Sequence, residues 1–256
     1  MIRKPFQLTI DAHQFQKHLA LDIQQALKKV WVQTLTYEAD KAGHFLSNLL
    51  TKSKHTDRRL IVDQFYRIVI NDQFLYTPSG LLNKTLWNEF KQTKQSLLSL
   101  KKQGVQVKEV NPTGILARKI VRRNHKKIIC IDNTTAYVGG INFSEHNFSW
   151  HDFMLRITDP KSIDILNMDI EDTWKNQSKS YIKKIEKGAW LSVNGYSNPK
   201  YFSKLIKLMT NAKTHIKIYT PYLSPPFITS LIWAAKRGVR VDLITSPQNN
   251  WPLFSG

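Results

Sequence analysis

The chain has 256 residues and carries 38 Lys and Arg against 19 Asp and Glu, a formal net charge of +19. With 41 % hydrophobic residues it should fold around a sizeable core, as one large domain or two modest ones. The charge calls for anionic partners (nucleic acid, an anionic membrane surface or phosphorylated substrates) without choosing among them, and the single cysteine, Cys130, excludes a disulfide scaffold within the chain.

Cys130 lies in an apolar run and reads as a small buried hydrophobe, in keeping with a reducing compartment. The stretch MIRKPFQLTIDAHQF starts basic but lacks an apolar core of signal-peptide length, and no segment approaches the length needed to span a bilayer. The expectation is a cytoplasmic protein, soluble or peripheral.

In chain order, FQKHLALDIQQALKKV places Leu19, Ile23 and Leu27 on one helical face. VWVQTLTYEAD then alternates like a strand. A second helix is expected over AGHFLSNLLTKSK and a strand over RRLIVDQF. A longer helix fits LWNEFKQTKQSLLSLKKQG, with Gly104 as its stop, before the strand VQVKEV. Two more strands flank the turn in HKKIICIDNTTAYV, and KSIDILNMDIEDTWKNQSK reads as a helix. Strands alternating with helices argue for an α/β layered domain.

Near Gly188 the pattern restarts. YFSKLIKLMTNAKTHIKIYTPYL is a helix followed by a strand, and FITSLIWAAKRGVRVDLITSP is a helix, a stop at Gly238 and another strand. Its similarity to IQQALKKVWVQTLTYEAD suggests an internal duplication. Residues 1–188 would be one half, and residues 189–256 the incomplete start of the other.

The chemistry concentrates in residues 125–144. Side chains alternate along HKKIICID, so His125 and Lys127 share a face, and Asp132 lies at the strand end. Gly139 and Gly140 allow close backbone approach, which would bring Asn142 and Ser144 to the same rim. An imidazole, an ammonium, an amide and a hydroxyl on one rim can hold a phosphoryl group. H-x-K alone fits an ordinary hairpin; His215 and Lys217 form another such pair, set aside because no aspartate follows. The combination H-x-K-x4-D followed by G-G-x-N-x-S is far more specific.

NHKKIICIDNTTAYVGGINFS resembles the HKD motif of the phospholipase D superfamily. The flanks WHDFMLRITDPKSIDI and AKTHIKIYTPYLSP resemble its cardiolipin synthase-like branch. The resemblance implies a phospholipase D-like α/β fold: a layered mixed sheet flanked by helices, with one complete half and the start of a duplicated second.

The resemblance also implies roles. His125 would be the nucleophile that carries a phosphohistidine, with Lys127 and Asn142 on the phosphoryl oxygens and Ser144 as a further hydrogen-bonding group. Asp132, the third residue of the catalytic motif, would hold local structure. Glu38 would orient a histidine or serve as a solvated turn carboxylate. No cofactor and no metal are implied. The substrate would be an anionic phospholipid such as phosphatidylglycerol at the inner membrane surface, with nucleic acid as the rival. The basic run Arg118, Lys119, Arg122, Arg123, Lys126 and Lys127 suits either partner. Family members build a site from two such motifs and this sequence holds one. The expectations, in order, are a piece of a longer protein, a truncated inactive remnant that binds anionic surfaces, and a homodimer in which each copy supplies His125.

Overall fold

The computed structural model describes residues 5–53, 56–113, 123–177, 181–186, 189–193, 198–220 and 223–245. Two compact units divide it, Met1–Val193 and Asn194–Gly256. Gly188, where the sequence pattern restarts, lies outside the described residues.

The first unit begins with β1 (Phe6–Ile10), α1 (Asp11–Gln24), β2 (Lys29–Thr34), α2 (Lys41–Lys52) and β3 (Asp57–Asp63). A 3-10 turn, Gln64–Arg67, leads to a small hairpin, β4 (Val69–Ile70) and β5 (Gln73–Phe74). Then come α3 (Pro78–Leu82), α4 (Lys84–Lys102), β6 (Gln106–Val110), β7 (Ile128–Ile131) and β8 (Thr135–Gly139). The unit ends with α5 (Glu145–Phe148), β9 (Phe153–Ile157), α6 (Pro160–Trp174), and a hairpin of β10 (Tyr181–Glu186) and β11 (Ala189–Val193). In the second unit, α7 (Asn198–Asn211), β12 (His215–Tyr219), α8 (Phe227–Lys236) and β13 (Arg240–Ile244) form a helix-covered parallel pair. Among the described residues no helix is long and apolar enough to cross a membrane.

Seven strands of the first unit form one mixed sheet in the order β1-β9-β8-β7-β2-β3-β6. β2, β3 and β6 run parallel, whereas β7, β8, β9 and β1 pair antiparallel. Alternate side chains enter two cores. Val30, Val32, Leu60, Val62 and Ile129 meet Phe15, Leu19 and Ile23 of α1, Leu46 of α2 and Leu97 of α4. Trp31, Ile61, Ile128 and Cys130 meet Ile163, Leu166 and Ile170 of α6 on the other face. Cys130 is fully buried and free, as its apolar surroundings in the sequence imply.

Two details differ from the sequence pattern. The first helix ends at Gln24, and Leu27 is 75 % exposed. The Asp132 carboxylate explains this early stop, because it accepts the backbone N–H groups of Leu27 (2.5 Å), Lys28 (2.8 Å) and Lys29 (2.8 Å). The outer strands β1 and β9 also add to the sheet beyond β8. Gly104 stops α4 with a φ of +81° as expected.

Because β7 and β9 run against β2, β3 and β8, one edge of the sheet collects several termini. The ends of β2, β3 and β8 meet the starts of β7 and β9 there.

Candidate active site at the sheet edge

His125 and Lys127 lie in the extended segment just before β7, not within it. Their side chains nevertheless meet. Lys127 Nζ donates to the His125 carbonyl oxygen at 2.9 Å and lies 3.0 Å from the ring Nδ1. Lys127 is only 4 % exposed. Burial pushes its ammonium down to about 7, with the Asp152 carboxylate acting in the opposite sense. His125 keeps solvent access as a residue, but its ring is crowded by protein; desolvation and the Lys127 charge push it down to about 4. At neutral pH the imidazole is therefore uncharged, and half or more of its neighbouring ammonium groups keep their charge up to about 7.

The register pairing Gln33 with Ile128, continued by one residue, sets Lys127 opposite Thr34. The Thr34 hydroxyl donates to Asn142 Oδ1 at 3.3 Å, and the Thr36 backbone N–H donates to the same oxygen at 3.2 Å. Asn142 Nδ2 donates to Asn147 Oδ1 at 2.7 Å. Asn142 thus sits at the edge that carries Lys127, its amide orientation fixed from both ends. Ser144 is fully buried beside it, and its hydroxyl has no hydrogen-bond partner. The glycine pair has a steric cause. A Cβ on Gly139 would strike the Phe153 carbonyl, and one on Gly140 would strike the Asp152 carboxylate. Asp152 is the carboxylate whose field reaches Lys127.

Glu38 lies beyond the end of β2, where Tyr37 bridges to Phe143. It is 1 % exposed, and burial pushes its carboxyl up to about 8. Its Oε1 accepts the Asn71 N–H at 3.1 Å, and its Oε2 faces His146 Nδ1 at 3.8 Å. His146 Nε2 lies 3.2 Å from Asp72. Burial opposes charge on His146, but the Asp72 and Glu38 carboxylates outweigh it and raise the imidazole. Carboxylate oxygens of Glu38, Asp40 and Glu89 lie within 4.8 Å of one another. Asp40 already accepts the Ala42 and Gly43 N–H groups at the start of α2 and the Glu145 N–H. The group reads as a cluster of carboxyl groups that the His146 imidazole faces.

The family described as "Cardiolipin synthase, PLD-like domain" matches residues 19–174 and 205–255. The chain belongs to this PLD-like family. Cardiolipin synthase B of Salmonella typhimurium is 24 % identical over 272 residues, covering 96 % of this chain. The minor cardiolipin synthase ClsB of Bacillus subtilis is 28 % identical over 177 residues, covering 62 % of this chain. The chain spans 61 % and 44 % of the lengths of these two relatives. Phosphatidylserine synthase of Haemophilus influenzae shares the fold with a TM-score of 0.62 at 15 % identity, covering 98 % of this chain and 66 % of its own. Polyphosphate kinase of Porphyromonas gingivalis does so with a TM-score of 0.60 at 11 % identity, covering 98 % and 40 %.

In this PLD-like chain the motif residues divide between two ends of β7. His125 and Lys127 stand before the strand, beside Asn142 and Ser144. Asp132 stands after it, bound to the backbone between α1 and β2. Three hydrogen bonds to backbone N–H groups hold its carboxyl below the usual range against the opposing effect of burial.

Sequence reasoning did not find Asp63, Asp152 or His146. Asp63, fully buried at the end of β3, accepts from the Arg123 guanidinium, the Asn124 backbone N–H and Asn111 Nδ2, each at 2.7 Å. A carboxylate closing the apolar run RRLIVD was its one visible signal. The basic run is less available than its composition implies. Arg123 pairs with Asp63 at 2.7 Å and Lys126 with Asp169 at 2.5 Å, both carboxylates being buried. Arg118, Lys119 and Arg122 lie outside the described residues. In the second unit, His215 Nε2 lies 2.8 Å from Asp242 on the neighbouring strand.

Proposed function

We propose that the chain carries one half of a phospholipase D-type site and transfers a phosphatidyl group between alcohols on anionic phospholipid, as cardiolipin synthases do by name. The observation that carries this reading is the buried Lys127 ammonium held 3.0 Å from the His125 ring at an edge that also bears Asn142.

A ring nitrogen of His125 forms a bond to phosphorus while the bond from phosphorus to the leaving alkoxide breaks; the alkoxide takes a proton from a second imidazole. An acceptor hydroxyl then attacks the phosphohistidine, giving its proton to that imidazole and restoring His125. With water as acceptor the same steps hydrolyse the lipid. Lys127 turns from His125 to the phosphoryl oxygens as the anion arrives, and its charge matches the charge that builds there. The Asn142 amide and the unpartnered Ser144 hydroxyl supply further hydrogen bonds. Asp132 has a structural part and Glu38 orients His146. None of these steps calls for a metal or cofactor.

Residues 1–256 contain one H-x-K-x4-D motif, so the second imidazole comes from a longer chain or from a second copy. Residues 189–256 are read as the opening of the second half, and the protein as peripheral at an anionic inner membrane surface. The nuclease reading rests on the formal charge of +19, and the internal pairing of Arg123 and Lys126 weakens it.

Incubation with labelled phosphatidylglycerol and, separately, labelled single-stranded DNA tests the assignment. The expected result is a lipid product and an acid-labile phosphoprotein, both lost in His125→Ala. Product from DNA alone would overturn the lipid reading. Lipid binding without turnover, unchanged by His125→Ala, would leave a binding module.

A further inference from the structure

The segment between β3 and α4 leaves the sheet at the edge that carries His125. Its root is locked into the core, with Tyr66, Ile68, Val69, Ile70 and Leu75 all buried. The β4–β5 turn, where Asn71 and Asp72 both take positive φ, bonds to Glu38 and faces His146. Its tip has the opposite character. Tyr76 is 60 % exposed, Leu81 56 % and Leu82 84 %.

Helix α4 continues this surface. Leu86, Thr93, Leu97 and Leu100 face the core. Turned away from that face, Lys84, Trp87, Lys91 and Lys94 fall within about 80° of arc at 100° per residue, with Trp87 half-buried against the rim of the core. Lys84, Lys91 and Lys94 are exposed, and none has an acidic partner among the described residues. The Trp87 ring packs edge-on against Tyr76 at 5.7 Å and against Phe90 at 5.6 Å, and Lys94 Nζ sits 5.6 Å from the Phe90 ring centre. The surface carries an exposed leucine tip, with Lys84, the Tyr76–Trp87 pair, Lys91 and Lys94 behind it. An apolar tip backed by interfacial aromatics and cations matches what an anionic lipid surface takes up.

We propose that the α3 tip and the outer face of α4 form the docking surface for an anionic bilayer, with Leu81 and Leu82 entering the acyl boundary and Lys84, Lys91 and Lys94 meeting headgroup phosphates. The partner follows from charge complementarity: three unpaired cations flank an apolar knob that no other described part of the first unit covers. The inference rests on the phosphatidyl-transfer reading for its purpose, since docking here brings the His125 edge to its substrate.

The test uses the full chain with vesicles of phosphatidylcholine alone and of phosphatidylcholine with phosphatidylglycerol. Leu82→Cys labelled with an environment-sensitive dye reports the tip; Cys130 is fully buried and stays unlabelled in the folded protein. The expected result is a blue shift with the anionic vesicles only. Leu81→Ser/Leu82→Ser should weaken vesicle binding about tenfold, and Lys84→Gln/Lys91→Gln/Lys94→Gln about a hundredfold, with thermal melts like the parent. Wild-type binding by both variants overturns the proposal. So does a dye shift without vesicles that grows with protein concentration, which assigns the patch to a second copy, or a shift with oligonucleotide only. His125→Ala should bind vesicles like the parent. Binding at this surface without lipid turnover would sink the transfer reading and leave the docking surface standing, and turnover of a soluble short-chain lipid with no vesicle binding would do the reverse.

Discussion

The Asp63 carboxylate accepts the backbone N–H of Asn124 at 2.7 Å, one residue before His125. Four donors converge on this one buried group, the others being the Arg123 guanidinium, Asn111 Nδ2 and the Phe65 N–H. His125 lies outside the strand ladder, so Asp63 supplies the fixed point that regular pairing does not. Asp63→Asn puts an NH2 where a donor now points and should cost about 1–3 kcal/mol of stability. Turnover should fall further than KM changes, because the chain leading to the imidazole is displaced. Denaturant titration and a split of kcat from KM check this; a kcat equal to the parent's would remove Asp63 from any positioning role.

On the proposed mechanism, Lys127 gives the rate a pH limb. The competent state pairs a neutral imidazole with a charged ammonium, so kcat/KM should rise near pH 4 and fall near pH 7. A bound phosphate anion raises the ammonium's pKa, so the upper limb should lie higher in kcat. Lys127→Arg keeps its charge across this range, so its upper limb should move to the pKa of the second imidazole that donates to the alkoxide, whatever the absolute rate. An upper limb unchanged from the parent's would assign the limb elsewhere.

The glycine pair is intolerant for reasons that differ. Gly139→Ala sets a methyl against the Phe153 carbonyl, where the β8–β9 backbone must move. Gly140→Ala sets one against the Asp152 carboxylate, which can swing away. Gly139→Ala should cost about 1–3 kcal/mol in thermal or chemical denaturation. Gly140→Ala should cost less, while shifting the upper pH limb downward because Asp152 recedes from Lys127.

Glu38 links stability to pH. Its carboxyl is raised from 4.5 to about 8, so the folded state binds the proton more tightly than the unfolded chain. That stabilisation is fully present below pH 4.5 and is lost as pH rises toward 8 and through it. The raised His146 acts in the same direction, its share being lost above its ordinary value of 6.5. Glu38→Gln should therefore show a shallower fall in denaturation midpoint between pH 5 and 9 than the parent. An equally steep fall would show that Glu38 ionises normally in the folded protein.

The inner sheet was legible in the sequence because both its faces are covered. VWVQT, RRLIVD and IICI are apolar runs bounded by polar turns, and they became β2, β3 and β7. β1 was not legible, since one of its five residues is buried and no apolar period survives. The end of α1 was misread because the Asp132 side chain, far along the sequence, takes the N–H groups that set it. The site shows the same division. His125, Lys127, Asn142 and Ser144 fall within one short motif and could be read together. Asp63 and Asp152 join them, and His146 meets Glu38 and Asp72, through pairings across strands and loops that local spacing does not encode.

The two ends of β7 lead different lives. Four residues at a strand rise of about 3.3 Å separate the aspartate from the lysine by roughly 17 Å, counting the steps at either end. What the sequence writes as one motif is, in space, an anchor and a working tip joined by a short rigid shaft. On the proposed mechanism, damage at the anchor would blur the aim of the imidazole without touching its intrinsic reactivity.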